Sequence, residues 1–213
     1  MFRPTRAHRR ILSGLTAVTL SVTLGACGDD GESSGDDASS IQTAPNGETF
    51  NHADVAFATS MIPHHAQAIQ MVTLTDTRTL DAGVKQLAEG IRDAQAPEVE
   101  TMVDWLTAWG EEIPETSNDH VNGGHDMGDM PDMDDADMPG MMTADEMEAL
   151  MNSSDVEFQD MFLEMMKEHH EGAIEMAETE LAQGESPDAI DLAASVVTTQ
   201  QAEIDQIDQL LGS

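Results

Sequence analysis

The 213 residues carry 42 Asp and Glu against eight Lys and Arg, a formal charge of −34 at pH 7. Such a surface repels phosphate backbones and concentrates cations, which argues against nucleic acid as a partner. A single cysteine leaves no internal disulfide, and no nucleophile constellation, phosphate loop or dinucleotide fingerprint is present, so the fold must rest on packing and no catalysis is expected.

Residues 1–26 read as an export signal. Arg3, Arg6, Arg9 and Arg10 precede the short apolar run ILSGLTAVTLSVTL, which ends in the small-residue sequence LGAC. LGAC resembles a bacterial lipobox, which implies lipidation of Cys27 and a lipoprotein held on the outer face of the cell membrane; an ordinary secretory signal, with a periplasmic or extracellular product, is the alternative. Arg9-Arg10 leaves the general and twin-arginine export routes both open. The signal contains four of the eight basic residues and none of the acidic ones, so the mature chain would carry four against 42, a charge of −38. From Gly28 to about Glu48 a Gly/Ser/Asp tract offers almost nothing to bury, and residues 27–49 are expected to form a disordered acidic tether.

The folded domain is expected over residues 50–213. Val55, Phe57, Ala58, Met61, Ile62, Ala68, Ile69, Met71 and Val72 recur at helical spacing, predicting a helix from about Asn51 to Thr75. A second spans about Leu80 to Trp109 and completes a first hairpin, 50–110. Residues 111–142 are too rich in Gly, Asp and Pro for core and too long for a tight turn. Thr143 with Glu146 predicts a capping box and a short helix to about Met151. Ser154 to Gln183 is a further helix stopped at Gly184, and Ser186 with Pro187 opens the last one, to about Leu211. These complete a second hairpin, 143–213. Strand alternation is absent, so the class is all-α.

The two hairpins repeat each other. At an offset of 105, Phe57 meets Phe162, Met61 meets Met166, Ile69 meets Ile174, Met71 meets Met176, Gln95 meets Gln200, Glu98 meets Glu203 and Leu106 meets Leu211. A duplicated helical hairpin buries its apolar stripes as a four-helix bundle.

MIPHHAQAIQM and MKEHHEGAIEM occupy equivalent positions. At about 100° per residue Met61, His64, His65, Ala68 and Met71 share an arc of roughly 120°, as do Met166, His169, His170, Ala173 and Met176. Imidazole with thioether, without thiolate, favours a soft ion such as Cu(I) or Ag(I), and a thioether needs no deprotonation to ligate. A methionine stripe also serves as core filler, which is the competing reading. Met165 adds a further sulfur. Glu168 and Glu171 could orient His169 and His170 or simply be solvated. Pro63 removes a backbone hydrogen bond just before the first pair, at about 3 kcal/mol, so either a kink that frees a carbonyl or a plain bend is expected there; Pro97 poses the same question.

The Met/His/Asp-rich loop is a second candidate site. His120, His125, Met127, Met130, Met133, Met138, Met141 and Met142 lie along it among aspartates, where they could capture soft cations, or Cu(II), and pass them to the bundle; compositional drift is the alternative.

The paired MxxHHxxAxxM helices, the two hairpins and the exported context resemble the domain-of-unknown-function family numbered 305. That resemblance covers about Phe50 to Leu211 and implies a ferritin-like four-helix bundle of the kind found in periplasmic Met/His-rich proteins of copper resistance. It also implies that His64, His65, His169, His170, Met61, Met71, Met166 and Met176 are the copper or silver ligands. The sequence departs from strict duplication where Ser60 faces Met165 and Pro63 faces Glu168, which puts equal half-sites in doubt. The resulting expectation is a lipid-anchored protein that sequesters or relays copper, with a copper-handling protein as partner. An envelope interaction or stress module, in which the stripes are core, and a ferritin-like di-iron protein are the alternatives. The last fits poorly, since no histidine has Glu three residues before it.

Overall fold

The computed structural model describes residues 40–116 and 138–212. The signal, Cys27 and most of the tether lie outside the described residues, as do His120, His125, Met127, Met130 and Met133. Helices α1 (His52–Thr75) and α2 (Ala82–Trp109) form the first hairpin, α4 (Asp155–Gln183) and α5 (Pro187–Leu211) the second, and the short α3 (Ala144–Asn152) packs on α4. Together the hairpins make the expected four-helix bundle.

Local chemistry sets the helix ends. Asn51 Oδ1 accepts from the N–H groups of Ala53 and Asp54, and the Asp54 carboxylate answers the Asn51 N–H at 2.6 Å. Thr143 with Glu146 and Ser154 with Glu157 repeat this reciprocal capping at α3 and α4. Ser186 caps α5 ahead of Pro187, and Gly110 closes α2 at φ 81°. Both α1 and α2 run without interruption through Pro63 and Pro97.

One expectation fails at the edge of the domain. The disordered tether was to extend to residue 49, yet Gln42–Thr43 (β1) and Thr49–Phe50 (β2) pair antiparallel around a turn at Pro45-Asn46-Gly47, with Gly47 at φ 94°. Asn46 Oδ1 accepts from Glu48 N–H to hold the turn. The hairpin is fixed to the bundle because Ala44 and Phe50 are buried and the Phe50 ring stacks on Trp109, centroids 4.8 Å apart. Burial of those two side chains supplies what the polar tract before them lacks.

The two hairpins meet chiefly along α1 and α4, which run antiparallel. At one end Asn51 Nδ2 donates to Gln183 O, and the Asp54 carboxylate accepts from Glu185 and Ser186 N–H. At the other, the Arg78 guanidinium donates to Met151 O and Ser153 O and lies 4.5 Å from the Phe158 ring. Antiparallel pairing divides the core into two apolar clusters. One holds Ala68, Met71, Val72, Phe158, Phe162 and Met166; the other holds Phe57, Ala58, Met61, Ile62, Ala173 and Ala177, with Met176 packed against it. The sequence position between these clusters on both helices is the histidine pair. Among the described residues no helix is long and apolar enough to cross a membrane.

Candidate metal centre

His64, His65, His169 and His170 are all fully buried. The His64 and His169 rings lie against each other across the α1/α4 seam, centroids 3.7 Å apart and tilted by 38°. Burying four imidazoles between two apolar clusters costs free energy unless their polar atoms find partners. Part of that partnering comes from the neighbouring helices. His65 Nε2 meets Glu98 Oε2 at 2.7 Å and His170 Nε2 meets Glu203 Oε2 at 2.8 Å, each across 33 residues, so α2 serves α1 as α5 serves α4. His64 Nε2 meets the Pro139 carbonyl at 3.1 Å.

Carboxylate and carbonyl oxygens accept only, so in these three rings Nε2 carries a proton, and in the neutral ring Nδ1 is then a lone pair. The Nδ1 atoms of all four histidines are buried without a hydrogen-bond partner, and in His169 Nε2 is unpartnered as well. Gln95 and Gln200, one turn before Glu98 and Glu203 on the same helix faces, are also buried with unpartnered amides. Such a concentration of orphaned donors and acceptors in one layer of a core is an anomaly that a bound group would resolve.

The electrostatics agree. Burial, with the neighbouring His65 and then His170 adding to it, lowers the His64 pKa to about 3 against the support of the Pro139 carbonyl. Burial again, then His64, His170 and His65, hold His169 well below its ordinary value against an opposing contribution from the His64 backbone. Both rings are therefore neutral at neutral pH, the form in which imidazole ligates a metal.

On α1 Met61, His64, His65, Ala68 and Met71 all lie on the buried face, and the methionines flank the histidines along each helix. They bracket the layer from both sides: Met61 belongs with Met176 to one cluster, and Met71 with Met166 to the other. Met61, Met71 and Met166 are fully buried, whereas Met176 lines a groove of about 340 Å³ with His52, Phe57, Ser60 and Glu180. Met165 packs at the edge of the first cluster, and Met142 lies in that cluster's core. Met138 and Met141 are half-buried. Glu168 and Glu171 are exposed on α4; the orienting carboxylates are Glu98 and Glu203, from the partner helices. The repeat had already matched those two glutamates, and that match was the signal for them.

Among the described residues no three His, Cys, Asp or Glu side chains converge as a ready-made metal site. Nδ1 lone pairs in this layer, with thioethers in the apolar clusters on either side of it, are the donor types this part of the core contains. That donor set fits a soft ion and not magnesium or calcium.

No curated protein matches the chain. Among solved structures it is similar to a candidate secreted protein from Streptomyces coelicolor, with 30% identity and a TM-score of 0.63 over 75% of this chain and 92% of that one. A fragment from Deinococcus radiodurans shares 27% identity at a TM-score of 0.64, covering 80% and 99%. CopM in its Cu(II)-bound form shares 26% identity at a TM-score of 0.59, covering 75% and 95%. The S. coelicolor and D. radiodurans proteins both carry the same family domain, and that family's model matches residues 54–211 of this chain, from the Asp54 cap to the last turn of α5. The duplicated hairpins with their buried histidine layer thus place the chain in the domain of unknown function family DUF305.

Proposed function

We propose that the protein binds Cu(I), and Ag(I) in its place, at the buried histidine layer, and that it sequesters or relays the ion in metal tolerance without turning over a substrate. The observation that carries this reading is the set of four buried imidazoles whose Nδ1 atoms have no partner, three of them held with the lone pair free by an acceptor on Nε2. His64, His65, His169 and His170 would hold the ion, completed by sulfur from Met61, Met71, Met166 or Met176. A copper ion supplies the empty, polarisable acceptor orbitals that these lone pairs lack. The protein's contribution is to keep the imidazoles oriented and dry, with His64 and His169 held neutral. Similarity to CopM, solved with Cu(II) at 26% identity and with silver at 25%, supports the metal class.

Export through residues 1–26 and anchoring through Cys27 belong to the same proposal, supported by the signal-like sequence and by the secreted relative. An anchored carrier outside the cell would meet copper where a cysteine site oxidises and a thioether still ligates. The insert's His120, His125, Met127, Met130 and Met133 would then be a capture segment, able to take Cu(II) as well, that feeds the layer or a copper-handling partner.

Anaerobic titration of the protein with Cu(I) against a chromogenic chelator tests the assignment. It is run beside a variant with all four histidines changed to Gln and one lacking residues 118–136. Tight binding that disappears only in the histidine variant supports the bundle as the site. Binding that survives the four changes and disappears with the insert refutes it.

A further inference from the structure

The duplicated halves correspond closely around the histidines but differ at the position two residues after each pair, which is Gln67 on α1 and Gly172 on α4. Both residues serve one segment, 138–142 (MPGMM), which returns the chain from the insert to α3. Gln67, itself buried, pairs with the Met142 backbone in both directions: its Nε2 donates to Met142 O at 2.8 Å, and Met142 N–H donates to its Oε1 at 2.8 Å. On the α4 side a Cβ at Gly172 would overlap the Pro139 carbonyl and the Gly140 nitrogen, so glycine is what lets the segment lie there. Gly140 takes φ 74°, and a Cβ on it would strike the carbonyls of Glu168 and His169. Seated in this way, the segment brings the Pro139 carbonyl onto His64 Nε2. No strap carbonyl reaches His169, the repeat equivalent of His64.

We propose that Gln67 is a positioning residue of the histidine layer: it seats the 138–142 strap so that the Pro139 carbonyl holds His64 as its Nε2–H tautomer with Nδ1 open. This rests on the reading of the layer as a metal site. Its consequence is that the two halves of a duplicated fold are unequal ligand sets. On the α1 side both rings are preset, His64 by the strap and His65 by Glu98. On the α4 side Glu203 presets His170, and His169 has no strap carbonyl to match the one on His64. Loss of an outer partner that orients a metal-binding histidine lowers affinity by roughly 10–100-fold.

The test compares metal-free, ¹⁵N-histidine-labelled wild type with Gln67→Ala and Gly172→Ala, the latter reaching the strap from the other helix. Long-range ¹H–¹⁵N spectra report the tautomer of each ring, circular dichroism reports folding, and chelator competition reports Cu(I) affinity. The expected result is a single Nε2–H pattern for His64 in wild type, a mixed pattern in whichever variants fold, and affinity at least tenfold weaker. Gln67→Glu, which keeps the acceptor and loses the donor, supplies the same comparison if both alanine variants unfold. A folded variant in which His64 keeps its Nε2–H pattern, or which binds Cu(I) as tightly as wild type, overturns the positioning role and leaves the functional reading standing. Wild type that fails to compete for Cu(I) overturns the functional reading and this proposal with it.

Discussion

Glu98 and Glu203 do for His65 and His170 what no residue on the histidines' own helices does. Each is mostly shielded, its carboxylate accepts from an imidazole N–H, and each comes from the opposite strand of its hairpin. Changing either to Ala should weaken Cu(I) binding by about tenfold or more, with little loss of helicity, as measured by chelator competition and circular dichroism. The histidine pairs were legible in the sequence because adjacency and repetition are local properties. Their carboxylate partners were harder to read, since the neighbouring Glu168 and Glu171 compete for attention and only the fold shows that these point to water. His64 and His169 also predict a pH dependence. Their folded pKa values lie below the unfolded one, so as the pH falls below about 6.5 the unfolded chain takes up protons first, and stability drains away toward pH 3. A His64→Gln, His169→Gln protein should lose less stability than wild type between pH 6.5 and 4 in urea unfolding curves. Glu180 works in the opposite sense. Burial first, then the neighbouring Asp54 carboxylate, push its pKa up to about 8, so the folded state keeps a proton that the unfolded chain has released, and stability falls as the pH rises from about 4.5 to 8. Glu180→Gln should therefore gain on wild type across that window, and an unchanged difference between pH 5 and 8.5 would contradict the assignment.

Helix boundaries were the most legible elements, and the reason is chemical. Thr143 and Ser186 cap as their sequences predict because the partner of each cap lies three residues away on the same chain, and Ser154 caps α4 in the same way. Asn51 is a cap of another kind, since its side chain both starts α1 and donates to the last carbonyl of α4. Asn51→Ala removes the cap and the cross-hairpin tie together, and it should cost about 1–2 kcal/mol in urea unfolding. The composition of residues 27–49 predicts tether, yet local turn chemistry and a distant contact form the β1–β2 hairpin there. Pro45-Asn46-Gly47 is a turn signal, but what orders it is the stacking of Phe50 on Trp109, a contact 59 positions apart that no local window contains. The strap at 138–142 escaped the sequence reading for a related reason. Gly140 and Gly172 look like two unrelated glycines until the fold brings their backbones together.

At the scale of the molecule, duplication and antiparallel pairing together explain the site. A helix that carries Met, His-His and Met in order, laid antiparallel on a copy of itself, must put its histidines at the crossing and its methionines on both sides. The bundle was therefore readable from the repeat, whereas the layering of imidazole between two thioether-bearing clusters depends on the direction in which the hairpins pair. The central claim is that this layer, with sulfur above and below it, is where copper binds. Copper-edge X-ray absorption of the Cu(I)-loaded protein tests it most directly. The prediction is a first shell of both imidazole nitrogen and thioether sulfur, with the nitrogen contribution lost when His64, His65, His169 and His170 are changed to Gln. A shell of sulfur alone, unchanged in that variant, would place the ion elsewhere and leave the four histidines without a role in binding it.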